Sequence, residues 1–297
     1  MKTRDIVDRF RIQPESRFQL RDHDPAWAGG AEYKTLKRAE LKKEATELLQ
    51  ANRKQLEAVQ ELLYANDRYS LLIVLQGMDA SGKDGLVKHV MSGVNPLGCQ
   101  TYSFKRPTHE EYDHTFLWRF MKRLPERGRI GIFNRSYYED VLVARVHPEF
   151  LGPLPNGKIE EKFWQRRYED INAFERHLVR NGTIVLKFML NISKGEQKRR
   201  LLARLDEPEK NWKFNPGDLA ERELWPKYMD CYQTAIRATS TDWAPWHVIP
   251  ADHKWVARVV VAHIITNALA KLKLSFPKPS AETAKALREA KRALGGK

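Results

Sequence analysis

The sequence predicts an α/β fold, a three-layer α/β/α sandwich built on a parallel sheet. Three observations carry that expectation. Unbroken apolar runs alternate with amphipathic stretches along most of the chain; the first such run leads through a glycine-rich turn into a helical pattern; and 297 residues with 42% apolar content can fill one large core. Right-handed crossovers turn this alternation into helices on both faces of parallel strands, and such sheets bind ligands at the carboxyl ends of those strands.

The elements follow in order. Residues 1–11 mix Lys2, Arg4, Asp5, Asp8 and Arg9 with few apolar side chains, so no secretory signal is expected there. Between Ala31 and Ala65, the positions Leu41, Ala45, Leu48, Leu56, Val59 and Leu63 recur at helical spacing and predict a long amphipathic helix. After Asn66 and Asp67 the run Leu71-Leu72-Ile73-Val74-Leu75 reads as a strand buried on both faces. Further strands are expected at Thr101–Phe104, Arg129–Phe133, Thr183–Leu190 and His247–Ile249. Helices are expected at Lys83–Met91, Glu110–Arg123, Ile159–Val179, Lys194–Leu205 and Trp255–Leu274.

Two segments stand apart. Asp206 to Pro216 is polar and rich in Pro and Asn, a composition suited to a lid, which is expected over residues 206–228. Pro277 and Pro279 then break the chain before an Ala- and Lys-rich peripheral tail over 277–297. The expectation is one domain spanning residues 1–297.

Lys and Arg number 52 against 38 Asp and Glu, a formal charge of +14, which favours polyanionic partners. Two cysteines, Cys99 and Cys231, with no C-x-x-C pair, argue against a disulfide framework or structural zinc and fit a cytoplasmic location. The longest apolar run, Val259 to Ile265, is interrupted by His263 and falls far short of the roughly 20 residues that span a bilayer, so no membrane partner is expected.

The chemistry concentrates after the first strand, where Gly77-Met78-Asp79-Ala80-Ser81-Gly82-Lys83-Asp84-Gly85 satisfies G-x-x-x-x-G-K in the strand–turn–helix context that a phosphate-binding loop requires. Its glycines allow the backbone N–H groups of Gly77, Ala80, Ser81 and Gly82 to converge on an anion, while Lys83 and the helix start add positive charge. Asp84 replaces the usual Ser or Thr after the lysine and serves either the metal or the helix's first turn. Asp79, inside the loop, would repel bound phosphates unless a divalent cation lay between, which makes it the first candidate ligand for Mg²⁺.

The third strand ends in Phe133-Asn134-Arg135-Ser136-Tyr137-Tyr138-Glu139-Asp140. Arg135 can grip phosphate oxygens through two donors, and Asn134 holds the place of the usual Walker B acid without its charge. Glu139 and Asp140 either take part in the chemistry, Asp140 as a second metal ligand, or stabilise the helix start. Two basic sets complete the candidates. Lys194, Lys198, Arg199, Arg200 and Arg204 lead into the lid with Lys213, and Arg199, Arg204 and Lys213 are the phosphate-binding choices among them. Lys105, Arg106, Arg119, Lys122 and Arg123 follow the second strand, with Lys105 and Arg106 the choices there. A solvated helix face explains such charge equally well; an elongated polyanion would need several of these side chains along its length.

From the amino-terminal helix to about Leu274 the chain resembles the polyphosphate kinase 2 family. The strings that carry the resemblance are Leu75 to Gly85, Phe133 to Val143, Trp212-Lys213-Phe214-Asn215-Pro216-Gly217-Asp218 and Ala244 to Ala251. The resemblance implies a thymidylate-kinase-like P-loop core with a helical lid, Mg²⁺ dependence, and a channel that leads inorganic polyphosphate to a nucleotide. It also implies that Asn134-Arg135-Ser136-Tyr137-Tyr138-Glu139 groups the chain with members accepting AMP as well as ADP. Adenine nucleotides, with guanine as the open alternative, and a homo-oligomer are the partners expected. The rival enzyme reading is a P-loop kinase that uses ATP on a small metabolite. A nucleic-acid-binding protein is the rival of another class, and no zinc finger, RNP string or helix-turn-helix supports it.

Overall fold

The computed structural model describes residues 3–29, 38–154 and 157–295. Its helices and strands run in the order α1 (Thr3–Phe10), α2 (Arg38–Asn66), β1 (Ser70–Gln76), α3 (Lys83–Val90), β2 (Cys99–Ser103), α4 (His109–Tyr112), α5 (Trp118–Met121), β3 (Ile130–Asn134), α6 (Val143–Val146), α7 (Glu161–Arg180), β4 (Thr183–Asn191), α8 (Lys194–Asp206), α9 (Pro208–Asn211), α10 (Gly217–Glu223), α11 (Trp225–Thr239), β5 (Trp246–Pro250), α12 (Lys254–Ala270) and α13 (Ala281–Ala293). The five strands pair in the order β2-β3-β1-β4-β5, and every pairing is parallel.

β1 occupies the centre of the sheet because each of its seven residues is buried, as an apolar run with no polar face demands. Its register places Leu75 beside Asn134 of β3 and Gln76 beside Met189 of β4, so the turns after β1, β3 and β4 emerge at one edge. β2 lies at the margin, where only Cys99 and Tyr102 are partly buried and its other three residues are exposed. One helical layer is formed by α12 packed on α2, α3 and α1; the other has α7 on β4 and α11 on α7. Among the described residues no helix is long and apolar enough to cross a membrane.

The helix expected from Ala31 is observed from Arg38, its first seven residues lying outside the described ones. Its buried face runs through Ala45, Asn52, Leu56, Gln60 and Leu63. Apolar periodicity misses two of these, because Asn52 is buried as a polar partner: its carboxamide oxygen meets His263 Nδ1 of α12 at 3.4 Å. Leu48, expected on that face, is exposed.

The single helix expected over Glu110–Arg123 is two short turns, α4 and α5. The capping box of Thr108 and Glu111 starts α4, but the His114 imidazole Nδ1 takes the Glu110 carbonyl at 2.8 Å, the acceptor that the next backbone N–H of a continuing helix would use. The amino end forms α1, and Ile12 just beyond it donates its N–H to the Trp246 carbonyl at 2.8 Å. α13 has no buried residue.

Candidate active site

The segments that follow the five strands meet around a cavity of about 760 Å³. After β1 come Asp79 to Leu86, after β2 Phe104 to Arg106, after β3 Arg135, after β4 Arg199 to Asp218, and after β5 Ala251 to Arg258. In its wall, basic side chains outnumber acidic ones. A single edge of the parallel sheet therefore delivers the whole site, as a doubly wound topology requires.

The glycine-rich turn has the backbone of an anion cradle. Gly77 and Gly82 have φ of 149° and 105°, and Ala80, with φ 61°, adopts the left-handed conformation despite its Cβ. A side chain at Gly77 would lie 2.9 Å from Ser81 Oγ and 3.0 Å from the Leu190 carbonyl, so glycine is required there for space as well as for φ. Ser81 is 3% exposed, lines the cavity, and its hydroxyl has no partner among the described residues. Such a group is served by a ligand oxygen.

Lys83 opens α3 and donates from Nζ to the Gly77 carbonyl at 2.7 Å. Burial, and then the neighbouring Arg135, hold its pKa below the usual lysine value, against the opposing pull of Asp79, Glu139 and Asp84. Asp79 accepts from Arg135 Nη2 at 3.0 Å, and Arg135 Nη1 lies 3.6 Å from Glu139 Oε2. Glu139, more than any other neighbour, raises the Arg135 pKa. Arg135 itself has φ 64°, a conformation uncommon for a non-glycine residue, which turns it sharply off the end of β3 while its N–H bonds the Leu75 carbonyl at 3.1 Å. Asn134, in the Walker B place, donates to Asp84 Oδ1 at 2.7 Å and so fixes that carboxylate in the cavity wall.

The expected site residues thus fall into two groups. Asp79, Ala80, Ser81, Gly82, Lys83, Asp84, Lys105, Arg106, Asn134, Arg135, Arg199, Arg204 and Lys213 all line the cavity. Gly77, Glu139 and Asp140 do not, although Gly77 gives its carbonyl to Lys83 Nζ and Glu139 reaches the cavity through Arg135. Burial pushes the Asp140 carboxyl up to about 7, with Arg167 and Arg119 opposing the rise. On α8, Arg204 is bound to Asp218 Oδ2 at 2.8 Å and Arg199 is paired with Glu196. Of the basic set after β2, Arg119 is occupied internally, donating to Glu111 at 2.8 Å and to the Lys105 carbonyl at 2.7 Å.

Lys210, Lys254 and Arg258 also line the cavity and were not singled out by sequence. The i, i+4 spacing of Lys254 and Arg258 at the start of α12 was the available signal. Neither tyrosine of the Arg135–Asp140 string lines the cavity: both hydroxyls donate to the buried Glu175 carboxylate at 2.9 Å.

A divalent metal fits this donor set. Magnesium sites in phosphoryl-transfer enzymes take one or two carboxylates and fill the remaining positions with phosphate oxygens and water, and Asp79 and Asp84 stand in the cavity wall beside the phosphate cradle.

Comparison with known proteins gives the same reading. The family profile described as Polyphosphate kinase 2 (PPK2) matches residues 38–277. An ADP-polyphosphate phosphotransferase of Rhodopseudomonas palustris is 48% identical over 86% of this chain and 89% of its own length. An AMP/ADP-polyphosphate phosphotransferase of Meiothermus ruber is 44% identical over 94% of this chain and 98% of its own. The crystal structure of polyphosphate kinase 2 from Arthrobacter aurescens TC1 superposes with a TM-score of 0.85 at 43% identity, covering 97% of this chain and 95% of that one. With its phosphate loop, parallel sheet and cationic cavity, the chain belongs to the polyphosphate kinase 2 family.

Proposed function

We propose that this protein transfers the terminal phosphoryl group of inorganic polyphosphate to AMP and ADP, reversibly and with Mg²⁺. The observation that carries the reading is the cavity lining: cations from the ends of all five strands surround one phosphate cradle, more than a single transferring phosphate uses. The two relatives named above support it, because their names specify polyphosphate as one substrate and ADP, or AMP and ADP, as the other.

Phosphoryl transfer needs alignment and charge stabilisation more than covalent help. In this reading the loop amides and Lys83 hold the donor end of the chain, and Arg135 neutralises oxygens of the group in flight. Asp79 and Asp84 would hold the Mg²⁺, whose charge would offset that of the bound phosphates. Asp84 takes the second carboxylate's place ahead of Asp140 because it stands in the cavity wall. Lys105, Arg106, Arg199, Arg204 and Lys213 grip phosphates farther along the anion, and residues 206–228 form the lid of a single kinase domain. The acceptor oxygen of a nucleotide phosphate is already ionised near neutral pH, so no general base is required.

Cytoplasmic residence belongs to the same proposal, and two free cysteines, Cys99 half-buried and Cys231 buried, support it. So do guanine nucleotides as further acceptors and self-association of the chain. An acceptor panel tests the reading: purified protein with polyphosphate, Mg²⁺ and AMP, ADP, GMP or GDP in turn, and identification of each product. ADP from AMP and ATP from ADP are expected, with both lost on adding chelator; failure with both adenine nucleotides contradicts it.

A further inference from the structure

The carbonyl side of the phosphate loop is held by helix α8, and one of its side chains ties the loop to α10. Arg200 donates from Nη1 to the carbonyls of Ala80 at 2.9 Å and Ser81 at 2.8 Å. Its Nη2 reaches the carbonyls of Ala251 at 2.6 Å and Asp252 at 3.1 Å, and its Nε reaches Glu196 at 2.7 Å. Gln197, three residues earlier and on the same face, donates from Nε2 to the Asp79 carbonyl at 3.1 Å. Three consecutive loop carbonyls are therefore drawn toward α8, while within the loop the Ser81 N–H bonds the Met78 carbonyl at 3.1 Å.

Gln197 has a second contact. Its carboxamide oxygen accepts from Arg222 Nη1 of α10 at 2.8 Å, and the same nitrogen donates to the Lys194 carbonyl at 2.7 Å. The orientation of this amide is set by chemistry, since a guanidinium only donates and a backbone carbonyl only accepts. A glutamate could accept from Arg222 but would set an acceptor against the Asp79 carbonyl. A lysine could donate to that carbonyl but would meet the guanidinium with like charge. An aliphatic side chain could do neither. Gln197 is 1% exposed, so neither contact can be replaced by bulk water.

We propose that Gln197 is a positioning residue that couples the placement of α10, within the 206–228 lid, to the conformation of the phosphate loop at Asp79. The chain of contacts runs Arg222, Gln197, Asp79 carbonyl, and Asp79 is also the residue whose carboxylate meets Arg135. When α10 is seated, Arg222 fixes the amide and the amide fixes the loop; when it is displaced, the amide loses its anchor and the Asp79 carboxylate loses its alignment. The role in turnover rests on the polyphosphate-dependent reaction proposed above, whereas the coupling itself does not.

The test is a double-mutant cycle on the full chain with Gln197→Met, Arg222→Met and their combination, and Gln197→Glu as the variant that keeps only the Arg222 contact. Steady-state rates with AMP and with ADP should show kcat reduced roughly 10-fold in each single variant, with the nucleotide KM changed less than about 2-fold. The double variant should be no slower than the singles, because one chain of contacts is broken in each. Gln197→Glu should resemble Gln197→Met. Effects that multiply in the double variant, or loss of thermal stability with kcat per folded molecule unchanged, would mark Gln197 as structural only and overturn the proposal. A second readout needs no turnover: tripolyphosphate should protect the exposed Lys213 from trypsin in the unmodified protein and fail to do so in Gln197→Met and Arg222→Met. Equal protection in all three, or protection in none, would overturn the coupling. Lack of polyphosphate-dependent turnover together with the expected protection pattern would refute the proposed reaction and leave the coupling standing.

Discussion

At the residue scale the account rests on a few charges whose surroundings are already built. Lys83→Met removes the counter-charge at the loop, and Asp79→Asn keeps size while removing the proposed metal ligand and the partner of Arg135. Each should lower kcat by about 100-fold or more with the melting temperature little changed; near-normal turnover in Asp79→Asn would pass the metal to Asp84. Glu139→Asn should depress the AMP reaction more than the ADP reaction, because the shorter acceptor depends more on the charge that steadies Arg135. An unchanged ratio of initial rates would reject Glu139 as the selector. Asp140 has a pH signature. Its pKa is raised to about 7 by burial, whereas the unfolded carboxyl titrates near 4, so the folded state binds the extra proton between those values and stability falls as pH rises through that window. Asp140→Asn stays neutral, so its melting temperature should gain on that of the unmodified protein between about pH 4 and about pH 7. A difference that does not vary with pH would place Asp140 among solvated carboxylates.

At the scale of elements, β4, α7 and the turn after β3 share a buried ion pair beneath the site. Lys187 and Glu175 are both fully buried and meet at 2.6 Å; Lys187 also donates to the Tyr138 hydroxyl at 2.9 Å and the Thr239 carbonyl at 2.7 Å. Burial lowers the pKa of the lysine and raises that of the glutamate, and their pairing opposes both shifts. Lys187→Met leaves the buried carboxylate with its two tyrosine donors but no counter-charge and should cost about 3 kcal/mol in chemical denaturation, most of it recovered by adding Glu175→Gln; a cost below about 1 kcal/mol would deny the pair its anchoring role. None of this was legible in the sequence, where Lys187 sits inside an apolar run and Tyr137 and Tyr138 read as part of a catalytic string. The loop from Gly77 and the buried strand before it were legible, because glycine spacing and an unbroken apolar run report local geometry directly. The break between α4 and α5 was not. It depends on one imidazole taking a helix carbonyl, which periodicity cannot register. Lys254 and Arg258 were missed for another reason: they reach the cavity only because β5 pairs with β4, a long-range placement.

On the scale of the whole molecule, one sheet edge gathers its cations into a single wall, and the formal charge of +14 finds a structural use there. That arrangement suits an extended polyanion as donor, and this is the claim on which the functional reading depends. The most direct measurement is a ³¹P NMR time course of the purified protein with AMP, Mg²⁺ and inorganic polyphosphate, free of ATP. The account predicts that polyphosphate signal is lost as the β-phosphate of ADP appears, followed by the γ-phosphate of ATP. Unchanged AMP and polyphosphate, with phosphoryl transfer seen only when ATP is supplied as donor to another acceptor, would contradict it.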